Sequence, residues 1–484
     1  MKTQNIQLEP AGPRITSTNA GLLIRLNTYR AAVLALFFAG ITLLGTSAAS
    51  AATITVINTN DSGPGSLRQA LSDANNGDTI NFNSSLNGQR ITLTSGQLVV
   101  NRNLKIGGLG ANNLTVDGNA NDRVFYINFN NTVTISGLTI TNGHAQLGGG
   151  IYNQGGFKGA TLTVSNCAIS ANEGAGIINT AAGTLTVNNS TLSGNEGVGI
   201  FNDGHLASVT LTVNNSTLSG NGGAGIVNAG TGGFGATLTV NNSTLSGNQS
   251  GGIYNTGYGT DFNGGSATLT VTNSTLSSNS TFHGGGIYNQ GGPFGGASVT
   301  ITNSTVSGNS ANAGGGIYNV GSFDGSATVT ITNSTLSGNS ASQGGGIYNY
   351  GGSIYTTSLM IGDTILNAGA SGENIYNASG TVSSLGYNLS SDNGSGYLTG
   401  PGDQINTDPM LGALQGNGGP TFTHALLPSS PAIDAGAPSF TPPPFYDQRG
   451  PGFNRVVNGR IDIGSFEVQG PTPTPTPTPT PALW

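Results

Sequence analysis

The sequence predicts an all-β fold: a right-handed parallel β-helix, closed at its start by a short capping helix. Three observations predict it. The chain repeats itself every 23 to 31 residues, charged residues are only 7% of it, and aliphatic residues return to the same places in each repeat. Short repeats that cannot each bury a core must stack on one another to do so.

Composition excludes several classes. An ordinary soluble domain has about 25% charged residues; this chain of 484 residues has 7%, with 81 glycines and 56 asparagines. That argues against a coiled coil or helical bundle. Cys167 is the single cysteine, so neither an intramolecular disulfide nor a cysteine zinc cluster is available. From Gly159 to Gln448, 290 residues hold twelve acids and no lysine or arginine. Nucleic acid and anionic membranes both need cations opposite phosphate, so neither is an expected partner of this body.

Residues 1–51 read as a signal peptide. Lys2, Arg14, Arg25 and Arg30 make the region before the apolar run basic, Ala31 to Gly45 is that run, and Ala49-Ser50-Ala51 suits signal peptidase. The run is short for a membrane span, which needs about 20 residues, so cleavage and a secreted or cell-surface location are expected, with no span afterwards. At the other end, residues 469–484 contain an alternating Pro-Thr tract. Proline makes such a tract an extended spacer.

Residues 52–132 are expected to form the N-terminal cap and irregular first rungs. Ser66-Leu67-Arg68-Gln69 is a capping-box pattern. Leu67, Ala70, Leu71 and Ala74 then share one helical face. Ile80, Phe82, Ile91, Leu93, Leu104, Ile106, Leu114 and Val116 supply the first rungs.

Residues 133–384 are the repeats. Units start at Val133, Leu162, Leu185, Leu211, Leu238, Leu269, Val299, Val329 and Leu359, with spacings of 29, 23, 26, 27, 31, 30, 30 and 30. Each holds three strand-like pieces, as in Thr237-Leu238-Thr239-Val240, Ser243-Thr244-Leu245 and Gly252-Ile253-Tyr254-Asn255. Strands this short cannot form a free-standing hairpin core. They are stabilised by the equivalent strand of the next turn, about 4.8 Å away, while loops of variable length project outward.

Asparagine occupies three columns. One runs from Asn189 through Asn215, Asn242, Asn273 and Asn303 to Asn333. A second runs from Asn195 through Asn221, Asn248, Asn279 and Asn309 to Asn339. The third runs from Asn153 through Asn179, Asn202, Asn228, Asn255, Asn289, Asn319 and Asn349 to Asn377. Amides in such columns can hydrogen-bond along the stack, and asparagine tolerates the left-handed backbone of a sharp corner. This accounts for the Asn-x-Ser/Thr triplets without glycosylation.

These repeats resemble those of bacterial secreted right-handed β-helix proteins, including the polymorphic outer-membrane type. Residues 385–468 resemble a choice-of-anchor Q C-terminal region, carried by LGYNLSSD from Leu385, DPMLGALQGNGGPTFTHALLPSSPAIDAG from Asp408, DQRG from Asp447 and DIGSFE from Asp462. The resemblance implies a surface protein whose shared body is joined to varying anchors.

No constellation commits the chain to chemistry. Glu173 and Glu196 are the best-placed acids for a glycosidase, following second-column asparagines in adjacent units, but solvated loop residues have the same pattern. A pectate-lyase-like site needs clustered acids for Ca²⁺ and a base beside a uronate, and Glu173, Glu196, Asp203, Asp261 and Asp324 are scattered. His144, His205 and His283 make no metal set; no metal or cofactor is expected. His424, Asp434, Asp447, Arg449 and Asp462 read as the lock of a C-terminal cap, and Cys167 as a small buried or ladder residue replacing the serine of the triplet. Tyr152, Tyr254, Tyr288, Tyr318, Tyr348 and Tyr376 form one column, a candidate strip for stacking sugar rings. Ile178, Phe201 and Val227 occupy the same column. Paired threonines such as Thr184 and Thr186 face outward in a regular array of the kind ice-binding solenoids display, though threonine is also an ordinary strand residue.

The function expected is therefore adhesion to, or contact with, polysaccharide or cell-surface glycans without catalysis. The alternative is a carbohydrate-active enzyme, either pectate-lyase-like or a glycoside hydrolase, and ice binding is a minor third.

Overall fold

The computed structural model describes residues 51–259, 263–322, 324–352 and 356–470. The expected signal segment up to residue 50, Asp261 and the Pro-Thr tract from Pro471 lie outside the described residues.

The body is a parallel β-solenoid, as the repeats require. Three parallel sheets of 13, 11 and 12 strands run along it, each strand hydrogen-bonded to its counterpart in the next turn. Sheet 1 contains the Leu-Thr-Val strands, such as Gly235–Asn241. Sheet 3, of 12 strands, contains the short Thr-Leu-Ser strands, such as Thr244–Ser246. Sheet 2, of 11 strands, contains the Ile-Tyr-Asn strands, such as Ile253–Tyr258.

Period-two alternation explains the core. In sheet 1 one inward column runs from Val133 through Leu162, Leu185, Leu211, Leu238, Leu269, Val299 and Val329 to Leu359 in unbroken register. All are buried. Burying each such side chain is worth roughly 1.5–3 kcal/mol. The intervening threonines point out: Thr184 aligns with Thr210, Thr237, Thr268, Ser298 and Thr328. The glycines before each Ile-Tyr-Asn strand let neighbouring turns touch; a Cβ on Gly286 would sit 2.6 Å from the Gly316 carbonyl oxygen.

Two asparagine columns are ladders. In the second, Asn221 Nδ2 donates to Asn248 Oδ1 at 2.9 Å and Asn248 Nδ2 to Asn279 Oδ1 at 2.9 Å. In the third, Asn228 Nδ2 donates to Asn255 Oδ1 at 2.8 Å. The first column differs. Its members hold the left-handed backbone, with φ of 47° at Asn189, 49° at Asn215 and 47° at Asn242. They turn the corner between sheets 1 and 3, and only Asn303 reaches its neighbour, Asn273, at 2.6 Å. The ladder there belongs to the next residue. Ser216 N donates to Ser243 Oγ at 3.1 Å, and Ser216 Oγ donates to the Asn214 carbonyl at 2.7 Å.

The helix Leu67–Asp73 packs Leu67, Ala70 and Leu71 inward, against strands Thr53–Val56 and Leu98–Val100 of the first turns. The capping box forms by half. Ser66 Oγ accepts from Gln69 N at 3.1 Å, but the Gln69 amide donates forward to Asp73 Oδ1 at 2.7 Å instead of back to Ser66. The early rungs are irregular only in their loops: Ile80 pairs with Ile106, and Ile106 with Ile135.

The C-terminal residues do two things. Leu398 enters the core at the end of the solenoid. The stretch from residue 411 to 467 then folds back along the outside of sheet 3 as a strap. Gln448 Nε2 donates to Thr275 Oγ1 at 2.9 Å, Thr305 Oγ1 donates to Gln448 Oε1 at 2.6 Å, and Ser465 N donates to Thr335 Oγ1 at 3.1 Å. The strap thus covers a side of the solenoid as well as its end, because outward threonines offer it partners.

Candidate functional site

The outward column of sheet 2 carries a line of aromatic side chains along the body. Its register runs Val99, Tyr126, Tyr152, Ile178, Phe201, Val227, Tyr254, Tyr288, Tyr318, Tyr348, Tyr376. In-register stacking brings the rings parallel. Centroids lie 4.5 Å apart for Tyr254–Tyr288, 5.4 Å for Tyr288–Tyr318, 4.8 Å for Tyr318–Tyr348 and 5.0 Å for Tyr348–Tyr376. Tyr126 and Tyr152 stack likewise at 5.5 Å.

This changes the expectation for the column. A sugar stacks on a ring face, and from Tyr254 to Tyr376 each inner face is taken by the next tyrosine. Edges and hydroxyls remain, and Tyr254 Oη lies 3.3 Å from Gln290 Oε1. Burial holds these phenols neutral: it raises Tyr254, Tyr288 and Tyr348, and pushes Tyr318 up to about 12. His283 lies over Tyr318 at 4.7 Å, with Phe282 edge-on to it at 4.4 Å, so its ring is committed to packing.

The column opens where its tyrosines stop. The unit from Leu162 to Leu185 is the shortest, at 23 residues. Its turn after Ile177–Thr180 is only Ala181-Ala182, whereas residues 155–159 and 205–208 make longer turns on either side. A notch results. Ile178, Thr180 and Ala181 form the floor; Leu147, Tyr152 and Gln154 form one wall; Phe201, Asp203, His205 and Leu206 form the other, around about 180 Å³. A second hollow of about 270 Å³ continues it past Ile178 and Phe201 toward Val198 and Val227. Tyr126 stacks on one side of Tyr152, and the turn on its other side offers Ile178 and no ring.

Asp203 is the acid of the notch. Its side chain is 21% exposed, and its Oδ2 lies 3.6 Å from Nδ1 of His205, which is 57% exposed. Among the described residues the carboxylate accepts no hydrogen bond. Burial raises its pKa, and His205 opposes the rise. In the sequence Asp203 and His205 stand as scattered loop residues. The short spacing between Leu162 and Leu185 was the available signal that this loop pair borders a depression.

Glu173 and Glu196 lie in adjacent turns, with Glu196 N donating to the Asn172 carbonyl at 2.9 Å. The Glu173 carboxylate is paired with His144 of the preceding turn, and both side chains are half-exposed. Glu196 is exposed, one turn further on. Cys167 is buried in the serine column, its thiol donating to the Ser165 carbonyl at 3.3 Å.

The remaining acids gather under the strap. Asp447 takes Arg449 Nε at 2.9 Å, and the guanidinium carbon lies 3.9 Å and 3.8 Å from the ring centroids of Phe453 and Phe466. Asp434, Asp462 and Glu467 each bring a carboxylate oxygen within 4.8 Å of the others, the one grouping able to hold a cation among the described residues. Both Asp462 oxygens already accept backbone N–H groups, from Asp434 at 2.7 Å and Val468 at 2.6 Å. Arg455 is buried against the same network and donates to the Asp462 and Gly464 carbonyls at 3.1 and 2.8 Å. His424 bridges Ser307 Oγ at 2.9 Å and the Gly412 carbonyl at 2.7 Å. These contacts hold the strap down.

One family model agrees with this architecture. Residues 101–265 match the family model for a right handed beta helix region. No curated protein matches the sequence. Among solved structures, the chain is similar to pectate lyase Pel9A at 15% identity, over 88% of this chain and 98% of that one, with a TM-score of 0.47. It is also similar to the catalytic unit of a thermostable GH87 alpha-1,3-glucanase from Streptomyces thermodiastaticus strain HF3-3, at 13% identity over 70% and 68%, with a TM-score of 0.40. No helix among the described residues is long and apolar enough to cross a membrane.

Proposed function

We propose that this protein is an exported β-solenoid that contacts polysaccharide or cell-surface glycans through its sheet 2 face, without catalysis. The choice-of-anchor Q resemblance of residues 385–468 belongs to the same reading and makes the strap part of a surface-display module. The observation that carries the proposal is the notch. There Tyr152 and Phe201 wall an apolar floor, and Gln154, Asp203 and His205 supply a few polar groups. Ligand sites of this kind are concave, mainly apolar, and oriented by few polar residues.

The competing reading is a carbohydrate-active enzyme, favoured by the raised pKa of Asp203 within a cleft. Glycoside hydrolysis ordinarily needs a second carboxylate about 5–9.5 Å away, and Asp203 is the only acid lining the notch. Two assays on the same protein separate the readings. Binding on a glycan array with no reducing ends and no unsaturated product supports contact. Turnover that Asp203→Asn abolishes supports the enzyme.

A further inference from the structure

We propose that the notch takes a cationic amino sugar, a hexosamine residue of a polysaccharide, with its ammonium group on Asp203. The inference rests on the glycan reading and adds the charge of the ligand to it.

Three observations carry it. First, Asp203 is a largely buried carboxylate without a hydrogen-bond donor among the described residues, and its one ionic neighbour, His205, is 3.6 Å away and mostly exposed. A partly desolvated carboxylate in that condition gains most from a charge-assisted donor brought by the ligand. Second, it is the only acid among the lining residues, and the lining holds no lysine or arginine. Arg123 is drawn over the Tyr126 and Tyr152 rings, at 5.5 and 4.8 Å from their centroids. Lys158 is exposed in the loop beyond Gly156. A uronic acid would bring a second negative charge beside Asp203, with His205, already next to that carboxylate, as the one lining group that could answer it. Third, beyond Lys158 the chain has no lysine or arginine until Arg449, so a polycationic glycan running on along the solenoid meets no fixed positive charge for most of the body. Tyr152 and Phe201 meanwhile suit the apolar face of a pyranose ring.

The test is calorimetric titration of the full chain at moderate salt and about pH 5.5, where the amino groups of oligoglucosamine are protonated. The probes are three oligosaccharide sets of equal length: β-linked glucosamine, its N-acetylated form and galacturonate. The glucosamine set should bind at least tenfold more tightly than the other two. Asp203→Asn should erase that preference, while Phe201→Ala should weaken every sugar that binds; circular dichroism confirms that both variants keep the sheet. Equal or tighter binding of the N-acetylated or galacturonate set overturns the assignment but leaves glycan contact standing. So does undiminished glucosamine binding by Asp203→Asn. Oligolysine that competes at the same concentration as glucosamine also overturns it, by showing that charge alone is read. If no saccharide binds at all, glycan contact falls with it.

Discussion

Asn289 donates its side-chain amide to the Asn319 carbonyl oxygen, 2.8 Å away and one turn further along, and the same amide lies 3.2 Å from the Thr328 backbone carbonyl. Asn255 donates to Asn289 in turn, at 2.8 Å. Both neighbours are fully buried. Asn289→Ala therefore leaves a donor and an acceptor short of a partner in the dry core, at a cost of about 1–3 kcal/mol. Asn242→Gly is the matched control. Asn242 sits at a corner with φ of 47°, which glycine accepts freely, and its side chain is outside the ladders. Urea unfolding should show a clear loss of midpoint for Asn289→Ala and little change for Asn242→Gly. Equal losses would mean that the ladders add nothing beyond the corners.

The solenoid was readable from the sequence because two signals repeat: aliphatic alternation, which assigns the inside, and asparagine, which marks where each strand ends. Which asparagine does what was not readable. Asn242 and Asn248 look alike in the repeat, yet one turns the chain and the other is buried, because three strands of unlike length place them on opposite sides of the tube wall. The tyrosine column was found by periodicity, but whether its ring faces were open depended on the stacking distance. The strap escaped because its partners, Thr275, Thr305 and Thr335, are identical in pattern to Thr191, Thr217 and Thr244, which it does not reach. The Asp203 notch is a difference in loop length, visible only when neighbouring turns are set side by side.

Cys167 should be chemically silent in the folded protein. Burial pushes its thiol up to about 11, and the reactive species is the thiolate. Alkylation by iodoacetamide near pH 8 should be slow until denaturant is added, and then fast. Cys167→Ser should leave the melting temperature nearly unchanged, since serine fills this column in the following turns and Cys167 N already donates to Ser190 Oγ at 3.1 Å. Rapid alkylation of the native chain would place the residue at the surface.

The threonine array should not bind ice. Its register is regular, but threonine is favoured in sheets for its own fit, and cross-strand Thr–Thr neighbours stabilise a sheet whatever lies outside it. Thermal hysteresis should be absent and ice crystals should grow unshaped. Faceted crystals that lose their facets when Thr212 and Thr239 are changed to bulky residues would reverse this.

The strap should protect its own arginines. Arg449 and Arg455 are 7% and 0% exposed, and Gln448 is the side chain that ties this stretch to Thr275, Thr305 and Thr421. Gln448→Ala removes those bonds without touching the solenoid core. Trypsin should cut the native chain slowly at Arg449 and Arg455, and Gln448→Ala several-fold faster, with the sheet signal in circular dichroism retained. Fast cutting of the unaltered protein would show that the strap is not held.

Glu467 should make the strap weaken as pH rises. Burial, reinforced by Asp462 and opposed by Arg455, pushes its carboxyl up to about 8, against 4.5 for an ordinary glutamate. The folded state then holds the proton more tightly than the unfolded chain does. That contribution is complete below about pH 4.5 and is lost as pH rises through about 8. Asp462 and Asp363 are also raised by burial and act with the same sign. Asp61, Asp78, Asp117 and Asp392 are shifted downward and act with the opposite sign in acid. Burial also lowers His424 and His283, which gain stability as pH rises through the ordinary histidine range, so Glu467 is read from the difference between the unaltered protein and Glu467→Gln. Glu467→Gln keeps an oxygen for the Asp462 N–H, which Glu467 accepts at 2.8 Å, and removes the charge. Relative to Glu467→Gln, the melting temperature of the unaltered protein should fall between pH 5 and pH 8, leaving Glu467→Gln the more stable at pH 8. Trypsin sensitivity at Arg455 should follow the same curve, since that arginine packs against the same carboxylates. Parallel melting curves for the two proteins would show that Glu467 is ionised in the folded chain and that Arg455 fully compensates it.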